Sequence, residues 1–352
     1  MQLLNLLDYE KAAAAKMEPA HYTFFAGAAG DYITRDANRT AFDRLRLRPR
    51  VLRDVSRVSL ATTINGAPTA APILIGPAST HKLAHPDGEV AVARAAKALG
   101  LVQVLSTMST TAVEEVAAVG HTLWFQLYIF RDRAWSKRIV RRAEAAGCQA
   151  MMVTVDTPVP GLREDIIRSG FVTPETLSYP NLVEPDDTQS VTNLMATVRA
   201  NFDPALTWAD IEWLRTITPL PIWVKGILRA DDARRAVNAG VSGIVVSNHG
   251  GRQLDTAIAS MDALPEIVDA VGDQVELILD GGVRRGTDVL KALALGAGAV
   301  TLGRPPLMGL AVNGEAGARH VLELLRDELA NVMAQVGCAT VADIFADLVV
   351  AG

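Results

Sequence analysis

Short runs of apolar residues recur at regular intervals along the chain from about residue 70 onward. The eight runs cover residues 71–75, 102–105, 123–127, 150–155, 222–224, 243–246, 276–279 and 299–302. Their length and their β-branched residues are typical of strands that are buried on both faces of a parallel sheet. Segments with helical apolar spacing lie between most of them, and several end at a glycine, as helices commonly do. This alternation predicts an α/β fold with right-handed crossovers between parallel strands.

Eight such units within about 240 residues favour a closed (β/α)8 barrel, the TIM barrel, over an open doubly wound sheet. The whole chain, residues 1–352, is predicted to form one barrel domain, with an N-terminal helical segment over residues 1 to about 60. The alternation is interrupted once, after the fourth run, by a polar stretch that contains Glu184-Pro-Asp-Asp-Thr-Gln-Ser190. Long insertions in compact domains are commonly lids or disordered, so residues from about 164 to 206 are predicted to form a mobile loop over the barrel mouth.

The composition argues against several classes of protein. A formal net charge of -5 disfavours a nucleic-acid partner. No apolar run approaches the roughly 20 residues of a membrane span, and the first residues lack the basic start of an export signal. The only cysteines are Cys148 and Cys338, so a reducing, cytoplasmic location is expected and a disulfide framework is not. His81 and His85 have helical spacing but no third ligand, so no metal site is predicted.

Polar residues follow the apolar runs at almost every predicted strand end. In a (β/α)8 barrel these C-terminal ends meet at one rim, where the active sites of such enzymes lie. A single polar residue there would be unremarkable, but polar groups at all eight ends predict a ring-shaped site at the barrel mouth. The residues at or just after these strand ends are Pro77, Ala78, Ser79, Ser106, Gln126, Tyr128, Thr154, Asp156, Lys225, Ser247, His249, Asp280, Gly282, Gly303 and Arg304.

The sixth run leads into the segment Ser247-Asn-His-Gly-Gly-Arg-Gln-Leu-Asp255. His249 can exchange a proton near neutral pH, and Arg252 can hold a carboxylate through two hydrogen bonds. A base next to an anion-binding arginine predicts a substrate whose carboxylate is attached to the reacting carbon. Asp156 could orient the ring of His249 and raise its pKa, or it could cap its own loop. Arg163 is either a second ligand of that carboxylate or a surface arginine.

Lys225 follows the run 222–224, which carries no other charge, so the lysine is predicted to point into the barrel. It could stabilise negative charge on a cofactor, form a buried ion pair with a neighbouring strand, or form a Schiff base. The sequence leaves these three interpretations open.

Glycine and arginine residues follow the seventh and eighth runs, in Asp280-Gly-Gly-Val-Arg-Arg-Gly286 and Gly303-Arg304. Loops at these places in such barrels commonly bind phosphate through backbone amides and arginine side chains. The two adjacent glycines could be only a tight turn, but together with Arg284 and Arg304 they predict a phosphate site. No G-x-G-x-x-G follows a strand and no P-loop occurs, so a Rossmann or ATP site lacks support.

These segments resemble those of the FMN-dependent 2-hydroxy acid oxidase and dehydrogenase family, which includes glycolate oxidase, lactate oxidase and mandelate dehydrogenase. The most specific motif is Ser247-Asn-His-Gly-Gly-Arg-Gln-Leu-Asp255, supported by Asp280-Gly-Gly-Val-Arg-Arg-Gly-Thr-Asp288 and Phe125-Gln-Leu-Tyr128. The likeness extends over nearly the whole chain. It implies that the domain binds FMN, that it oxidises an (S)-2-hydroxy acid to the 2-oxo acid, and that the protein is a homo-oligomer, a tetramer.

The resemblance also implies a role for each predicted site residue. His249 would be the active-site base, and Asp156 would stabilise its protonated form. The substrate carboxylate would bind Arg252 and Arg163, while Tyr128 would form a hydrogen bond with the substrate.

The remaining residues would hold the cofactor. Lys225 would stabilise the reduced, anionic flavin. The residues that would contact the flavin ring, the ribityl chain or the phosphate are Pro77, Ala78, Ser79, Ser106, Gln126, Thr154, Ser247, Asp280, Gly282, Arg284, Gly303 and Arg304.

Three residues depart from the common pattern of the family. Phe24 stands where glycolate and lactate oxidases usually have a tyrosine, which removes one hydrogen bond of about 1 kcal/mol to the substrate. Met108 stands where glycolate oxidase has a tryptophan and provides an adaptable wall. Both changes predict a bulky substrate, aromatic or long-chain. Ser79 occupies a place near the flavin N5 where alanine is common, and its hydroxyl could alter the reactivity with oxygen.

O2 is the expected electron acceptor, with H2O2 as the product. One alternative is a dehydrogenase that passes electrons to a quinone or a protein. A more distant one is a flavin-free, phosphate-binding isomerase or lyase that uses Lys225 as a Schiff base. A binding module without catalysis is disfavoured because binding alone requires neither His249 nor Asp156.

Overall fold

The computed structural model describes residues 2–183, 197 and 200–352. The predicted N-terminal helical extension is present as α1 (Leu6–Lys16), α2 (Pro19–Ala26) and α3 (Ile33–Asp43). Asn5 caps α1 by accepting a hydrogen bond from the backbone N–H of Asp8 at 3.0 Å. After α3 the chain enters β1 (Leu45–Leu47), which pairs antiparallel with β12 (Val349–Ala351). The two terminal segments are thereby held together outside the barrel.

Eight parallel strands form a closed barrel, which confirms the predicted fold class. Each strand pairs with the next strand of the barrel along the chain, and the last strand closes the ring on the first. Every strand overlaps one of the predicted apolar runs, because strands covered by helices outside and packed side chains inside have no face for water. The strands are β4 (Ile73–Ile75), β5 (Val102–Ser106), β6 (Leu123–Leu127), β7 (Met151–Thr154), β8 (Ile222–Ile227), β9 (Gly243–Val246), β10 (Glu276–Asp280) and β11 (Ala299–Leu302).

Helices follow the strands and cover the outside of the barrel. The helical apolar spacing of the sequence predicts helices over residues 89–99, 113–119, 133–146, 231–238 and 288–295. Five helices of the structure agree with these bounds to within two residues at each end. They are α4 (Gly88–Leu99), α5 (Val113–Ala117), α6 (Arg133–Ala145), α9 (Ala230–Asn238) and α11 (Gly286–Ala294). Gly100, with a φ of 62°, ends α4 in the left-handed conformation that glycine adopts without strain.

Three further helices of ten or more residues were not predicted: α8 (Trp208–Ile217), α10 (Ser260–Val271) and α12 (Arg304–Val336). Pro265 lies inside α10, and α12 bends at Asn313 and Gly314, so neither shows a continuous helical pattern. α12 packs against α1 and α4. Within the described ranges, no helix combines the length and the apolar character that a membrane span requires.

Apolar side chains fill the N-terminal half of the barrel. Trp124 and Trp223 are in contact there, with ring centroids 5.1 Å apart. The hairpin of β2 (Thr62–Ile64) and β3 (Ala67–Thr69) closes this end, and its turn residue Asn65 accepts a hydrogen bond from Nε1 of Trp223 at 3.3 Å. This end of the barrel is therefore a packed core rather than a pore.

The long insertion between β7 and β8 is described in part. It contains α7 (Glu164–Arg168) and a 3-10 turn at Pro180–Leu182, and it returns to the rim where Phe202 forms a β-bridge with Phe130. Residues 184–190, on which the predicted lid centres, lie outside the described residues. Tyr179, Leu182 and Phe202 are buried, so the described parts of the insertion are packed against the barrel.

Candidate active site

A polar layer lies directly above the apolar layer inside the barrel. Successive side chains of a strand alternate between its faces, so the inward-pointing Trp124 is followed by Gln126, and Trp223 by Lys225. The same step of two residues places one residue of each strand in a ring near the barrel mouth. The ring consists of Gly76, Ser106, Gln126, Thr154, Lys225, Ser247, Asp280 and Thr301.

Hydrogen bonds connect neighbouring members of this ring. Oγ of Ser106 donates to Oε1 of Gln126 at 3.2 Å, and Nε2 of Gln126 donates to Oγ1 of Thr154 at 3.0 Å. All three side chains are buried. Their positions are therefore fixed before any ligand arrives.

A cavity of about 1350 Å³, counted out to its open mouth, lies above the ring. Residues of the barrel strands and of the loops that follow them line it. All but two of the predicted site residues line it. Asp156 and Ser247 lie behind it, where they contact His249 and Lys225. The lining residues predicted from the sequence are Phe24, Pro77, Ala78, Ser79, Ser106, Met108, Gln126, Tyr128, Thr154, Arg163, Lys225, His249, Arg252, Asp280, Gly282, Arg284, Gly303 and Arg304.

His249 and Asp156 form a pair at one side of the cavity. Nδ1 of His249 lies 2.9 Å from Oδ1 of Asp156, which leaves Nε2 for proton exchange. Burial lowers the pKa of His249 below its usual 6.5, although Asp156 opposes the shift. The ring is therefore neutral at pH 7 and can accept a proton. His249 has a φ of 59°, which residues other than glycine seldom adopt, and strain of this kind concentrates at functional sites.

Gly226 provides the space that Asp156 occupies. A Cβ atom on residue 226 would lie 2.6 Å from Cβ of Asp156, and its φ of 119° suits only glycine. We expect Gly226→Ala to displace the Asp156 carboxylate and to lower the free energy of unfolding by about 2 kcal/mol. The pKa of His249 should fall further, because Asp156 is the group that raises it. Urea denaturation and NMR titration of His249 measure the two effects.

Gly66→Ala is the matched control for this prediction. Gly66 also has a positive φ, of 71°, but no atom would lie within 4 Å of the new Cβ. The control should therefore show backbone strain alone and an unchanged titration of His249. An unchanged titration in Gly226→Ala as well would show that Gly226 does not position Asp156.

Lys225 forms a buried ion pair with Asp280, one of the three interpretations left open by the sequence. Nζ lies 2.8 Å from Oδ2 of Asp280 and donates to Oγ of Ser247 at 2.8 Å, and Thr301 donates to Oδ1 of Asp280 at 2.8 Å. Burial raises the pKa of Asp280, but Lys225 and the hydroxyl donors lower it to about 2. The ion pair with Asp280 engages the amino group that a Schiff base would require, which disfavours that chemistry. Because Lys225 also lines the cavity, its charge remains available to a ligand.

Four arginines, Arg163, Arg252, Arg284 and Arg304, concentrate positive charge along the cavity. Burial lowers the pKa of Arg304 to about 10, with a contribution from Arg284. Burial, Arg163 and Arg304 likewise lower the pKa of Arg252. In the part of the chain that the structure describes, no carboxylate pairs with Arg252 or Arg304. Half-buried cations that lack an acidic partner favour the binding of a carboxylate or a phosphate.

Arg252 and Arg304 also hold the end of α2 at the cavity. Both donate to the backbone oxygen of Gly27, at 2.7 and 3.0 Å, and Arg252 donates to that of Phe24 at 3.0 Å. The last carbonyls of a helix lack partners within the helix, and the two guanidinium groups supply them. This contact keeps Phe24 on the wall of the cavity.

Arg163 and Arg284 are held by other contacts. Nη2 of Arg163 donates to Oε1 of Gln253 at 3.2 Å, and its Nε donates to the backbone oxygen of Arg252 at 3.0 Å. Within the described ranges no hydrogen bond engages its Nη1, which leaves this group for a ligand. Nε of Arg284 donates to Glu10 in α1, so this predicted phosphate ligand is partly engaged by the N-terminal extension.

Aromatic side chains form one wall of the cavity. Phe24 stacks on Phe171 with ring centroids 4.6 Å apart, and Tyr128 lies 4.7 Å from Phe202. Met108 also lines the cavity. Burial raises the pKa of Tyr128, so its hydroxyl stays protonated and can donate a hydrogen bond. This wall suits an apolar or aromatic group on the ligand.

The sequence prediction missed several residues that line the cavity, among them Thr301, Gln253 and Phe202. Thr301 lies two residues beyond the inward-pointing Ala299, so strand alternation could have identified it. Gln253 joins two loops, because its Oε1 accepts from the N–H of Gly161 at 3.1 Å while its Nε2 donates to other backbone oxygens. No feature of the sequence indicated that Phe202 would line the cavity.

In the described part of the chain, no group of three or more His, Cys, Asp and Glu could hold a metal ion.

Known proteins resemble the chain over nearly its whole length. The model of the FMN-dependent dehydrogenase family matches residues 13–351. An L-lactate oxidase of Nostoc sp. is 49% identical over 351 residues, which cover 97% of this chain and 96% of the relative. A peroxisomal (S)-2-hydroxy-acid oxidase of Oryza sativa subsp. japonica is 48% identical, over 97% of this chain and 94% of the relative.

Solved structures of mandelate oxidase share the fold as well. The complex with (S)-4-hydroxymandelic acid has a TM-score of 0.93 and 44% identity, over 99% of each chain. The complex with benzoyl-formic acid has a TM-score of 0.90 and 44% identity, over 98% of each chain. The family model, the relatives and the solved structures all match nearly the full length of the chain. The chain therefore belongs to the family of FMN-dependent dehydrogenases.

Proposed function

We propose that the protein oxidises bulky (S)-2-hydroxy acids, aromatic or long-chain, to 2-oxo acids, and that O2 takes up the electrons as H2O2. The family membership and the oxidase names of the relatives support flavin-dependent oxidation of a 2-hydroxy acid. One observation carries the proposal: His249, paired with Asp156, faces the same cavity as the guanidinium group of Arg163. A base and an anion-binding guanidinium group that face one cavity can bind and deprotonate a substrate whose carboxylate is attached to the reacting carbon.

FMN is the cofactor of the family, and the residues of the cavity fit it. Arg304 is a half-buried cation without an acidic partner in the described ranges, and Arg284 lies nearby, so this end suits a phosphate. Ser106, Gln126 and Thr154 offer hydrogen-bonding groups for a polar ring, and Lys225 adds positive charge. When bound, FMN supplies the acceptor for the two electrons that leave the substrate.

In this proposal the polar side chains bind the substrate and take up its proton. Arg163 binds the substrate carboxylate, and the protonated Tyr128 donates a hydrogen bond to the substrate. Nε2 of His249 takes the proton that the alcohol loses, and Asp156 stabilises the resulting imidazolium. Arg252 adds positive charge near the carboxylate and holds the end of α2 in place.

The oxidation rate is expected to fall at low pH in a single protonation step. His249 must be neutral to accept a proton, and burial lowers its pKa below 6.5. The activity should therefore be full above pH 6.5 and decline as the pH drops through the lowered pKa. The pH dependence of kcat/KM measures this step, because it reports on the free enzyme. An acidic limb centred above pH 6.5 would contradict a buried, neutral imidazole.

Phe24→Tyr is expected to shift the preference toward smaller acids. The added hydroxyl supplies a hydrogen bond of roughly 1 kcal/mol, which helps small substrates that gain little from the aromatic wall. The ratio of kcat/KM for glycolate to that for mandelate should rise about fivefold. Phe345→Tyr, at an exposed position that does not line the cavity, is the control. Equal ratios in the wild type and Phe24→Tyr would count against the assignment of this wall.

The yield of peroxide tests the electron acceptor. An oxidase forms one H2O2 for each 2-oxo acid in air-saturated buffer, and the oxidase names of the relatives support this outcome. A yield far below one, together with fast turnover on an added quinone, would instead indicate a dehydrogenase.

We further propose a cytoplasmic homotetramer. Val51 and Leu52 expose 79% and 102% of their surface, and exposed apolar groups of this size favour burial against another copy. Both cysteines are free and buried, which supports a reducing compartment. Sedimentation velocity measures the assembly, and a monomer at micromolar concentration would contradict the tetramer.

A further inference from the structure

Glu89 is a fully buried carboxylate that the proposed chemistry does not use. It lies in the first turn of α4, with 0% of its surface exposed. In the described ranges no lysine or arginine pairs with it. A buried anion without a cation is costly unless hydrogen bonds replace its water shell. The fold therefore keeps an acidic side chain at Glu89 despite the free-energy cost of removing it from water.

Donors from two loops replace that water shell. Oε1 accepts from the backbone N–H of Thr110 at 2.8 Å and from that of His81 at 3.2 Å. The hydroxyl of Thr110 lies 2.9 Å from Oε2, and the hydroxyl of Thr111 donates to Oε2 at 2.7 Å. The position at the start of α4 adds the positive end of the helix dipole. The loop after β4 and the loop after β5 thus converge on one carboxylate.

Both loops line the cofactor cavity within a few residues of these contacts. The loop after β4 contributes Pro77, Ala78 and Ser79, and the loop after β5 contributes Met108. Between them, the N–H of Thr80 donates to the backbone oxygen of Met108 at 3.2 Å.

Thr80 has a φ of 64°, a strained conformation that persists only where surrounding contacts fix it. Glu89 accepts from the next N–H along the chain, that of His81, and so supplies such a contact. The described part of the long insertion adds another, because the hydroxyl of Tyr179 lies 3.3 Å from Oγ1 of Thr80.

We propose that Glu89 is a positioning residue for FMN: its carboxylate fixes the spacing between the loops after β4 and β5, and thereby the shape of the cavity beside the flavin ring. The inference rests on the proposed function, since it takes this cavity as the FMN site. Glu89 itself does not line the cavity and acts only through residues 77–79 and Met108.

The test compares FMN binding by Glu89→Ala, Glu89→Gln and the wild type. Fluorescence titration of the apoprotein with FMN gives the dissociation constant, and visible circular dichroism reports the surroundings of the bound flavin. Glu89→Ala should weaken FMN binding about tenfold or more and alter the dichroism, because several hydrogen bonds to a charged group are lost. Glu89→Gln keeps the volume and one acceptor oxygen, so it should restore most of both properties.

Glu115→Gln removes a negative charge from the neighbouring α5 at an exposed position and serves as the control. If Glu89→Ala does not fold, Thr111→Val tests the proposal in its place, because it removes a single hydrogen bond to Glu89. This variant should weaken FMN binding about threefold. Wild-type affinity and dichroism in the folded variants, with only a lower melting temperature, would overturn the proposal. Failure of the wild type to bind FMN would refute the proposed function instead.

Discussion

Replacing His249 with glutamine is expected to slow the reduction of bound FMN by a 2-hydroxy acid by about 10³-fold. Among the described residues, the imidazole is the only neutral base that lies on the cavity wall beside a stabilising carboxylate. Glutamine can form hydrogen bonds but cannot take up the proton. FMN should remain bound. The side chain of His249 contacts Asp156, and the hydrogen bond from its backbone N–H to Oγ of Ser247 does not depend on the side chain. Stopped-flow absorbance under anaerobic conditions measures the rate.

Two further variants make this result interpretable. His249→Asn should behave like the glutamine variant. Because asparagine tolerates the positive φ of this position better than glutamine does, the same loss of rate in both variants would exclude backbone strain as its cause. His85→Gln changes a histidine that does not line the cavity and should leave the rate unchanged. Reduction at the wild-type rate in His249→Gln would refute the assignment of the base.

Arg163→Leu is expected to lower kcat/KM for a 2-hydroxy acid by about 10² to 10³-fold, since it removes a charged partner of a desolvated carboxylate. Selectivity should change together with the rate. The wild type should prefer mandelate over its uncharged methyl ester by a wide margin, and the variant should lose most of this preference. Steady-state kinetics on the acid and the ester measure both effects.

Arg168→Leu is the matched control, because Arg168 lies on α7 close to Arg163 but pairs with the exposed Glu164 and Asp165. Its kinetics should equal those of the wild type. If Arg163→Leu kept the preference for the acid over the ester, the carboxylate would have to bind elsewhere, with Arg252 as the remaining candidate.

Strand alternation explains why so much of the site was predictable. An inward-facing strand position is apolar unless it meets a ligand, so Gln126, Lys225 and Asp280 stand out at the ends of otherwise apolar runs. Thr301 was missed because threonine is common in strands and did not interrupt its run. The predicted residues reach one cavity because a closed barrel brings all strand ends to the same rim.

Other features had no local signal. Sequence cannot distinguish Asp156 and Ser247, which lie behind the cavity, from the residues that line it, because the difference depends on how the loops fold. The hydrogen bonds from Arg252 to the end of α2 join residues 225 or more positions apart. Phe202 reaches the wall only because the insertion returns to the rim at Phe130. Such contacts are set by tertiary packing rather than by residue pattern.

The proposed mechanism requires that the imidazole of His249 and the guanidinium group of Arg163 act on one substrate held against FMN. Anaerobic mixing of the FMN-loaded protein with (S)-mandelate tests it most directly, with the absorbance of the oxidised flavin as the readout. Rapid and complete bleaching by (S)-mandelate is expected, with far slower bleaching by its methyl ester. If the flavin kept its colour with mandelate and with every other 2-hydroxy acid tried, this mechanism would be contradicted.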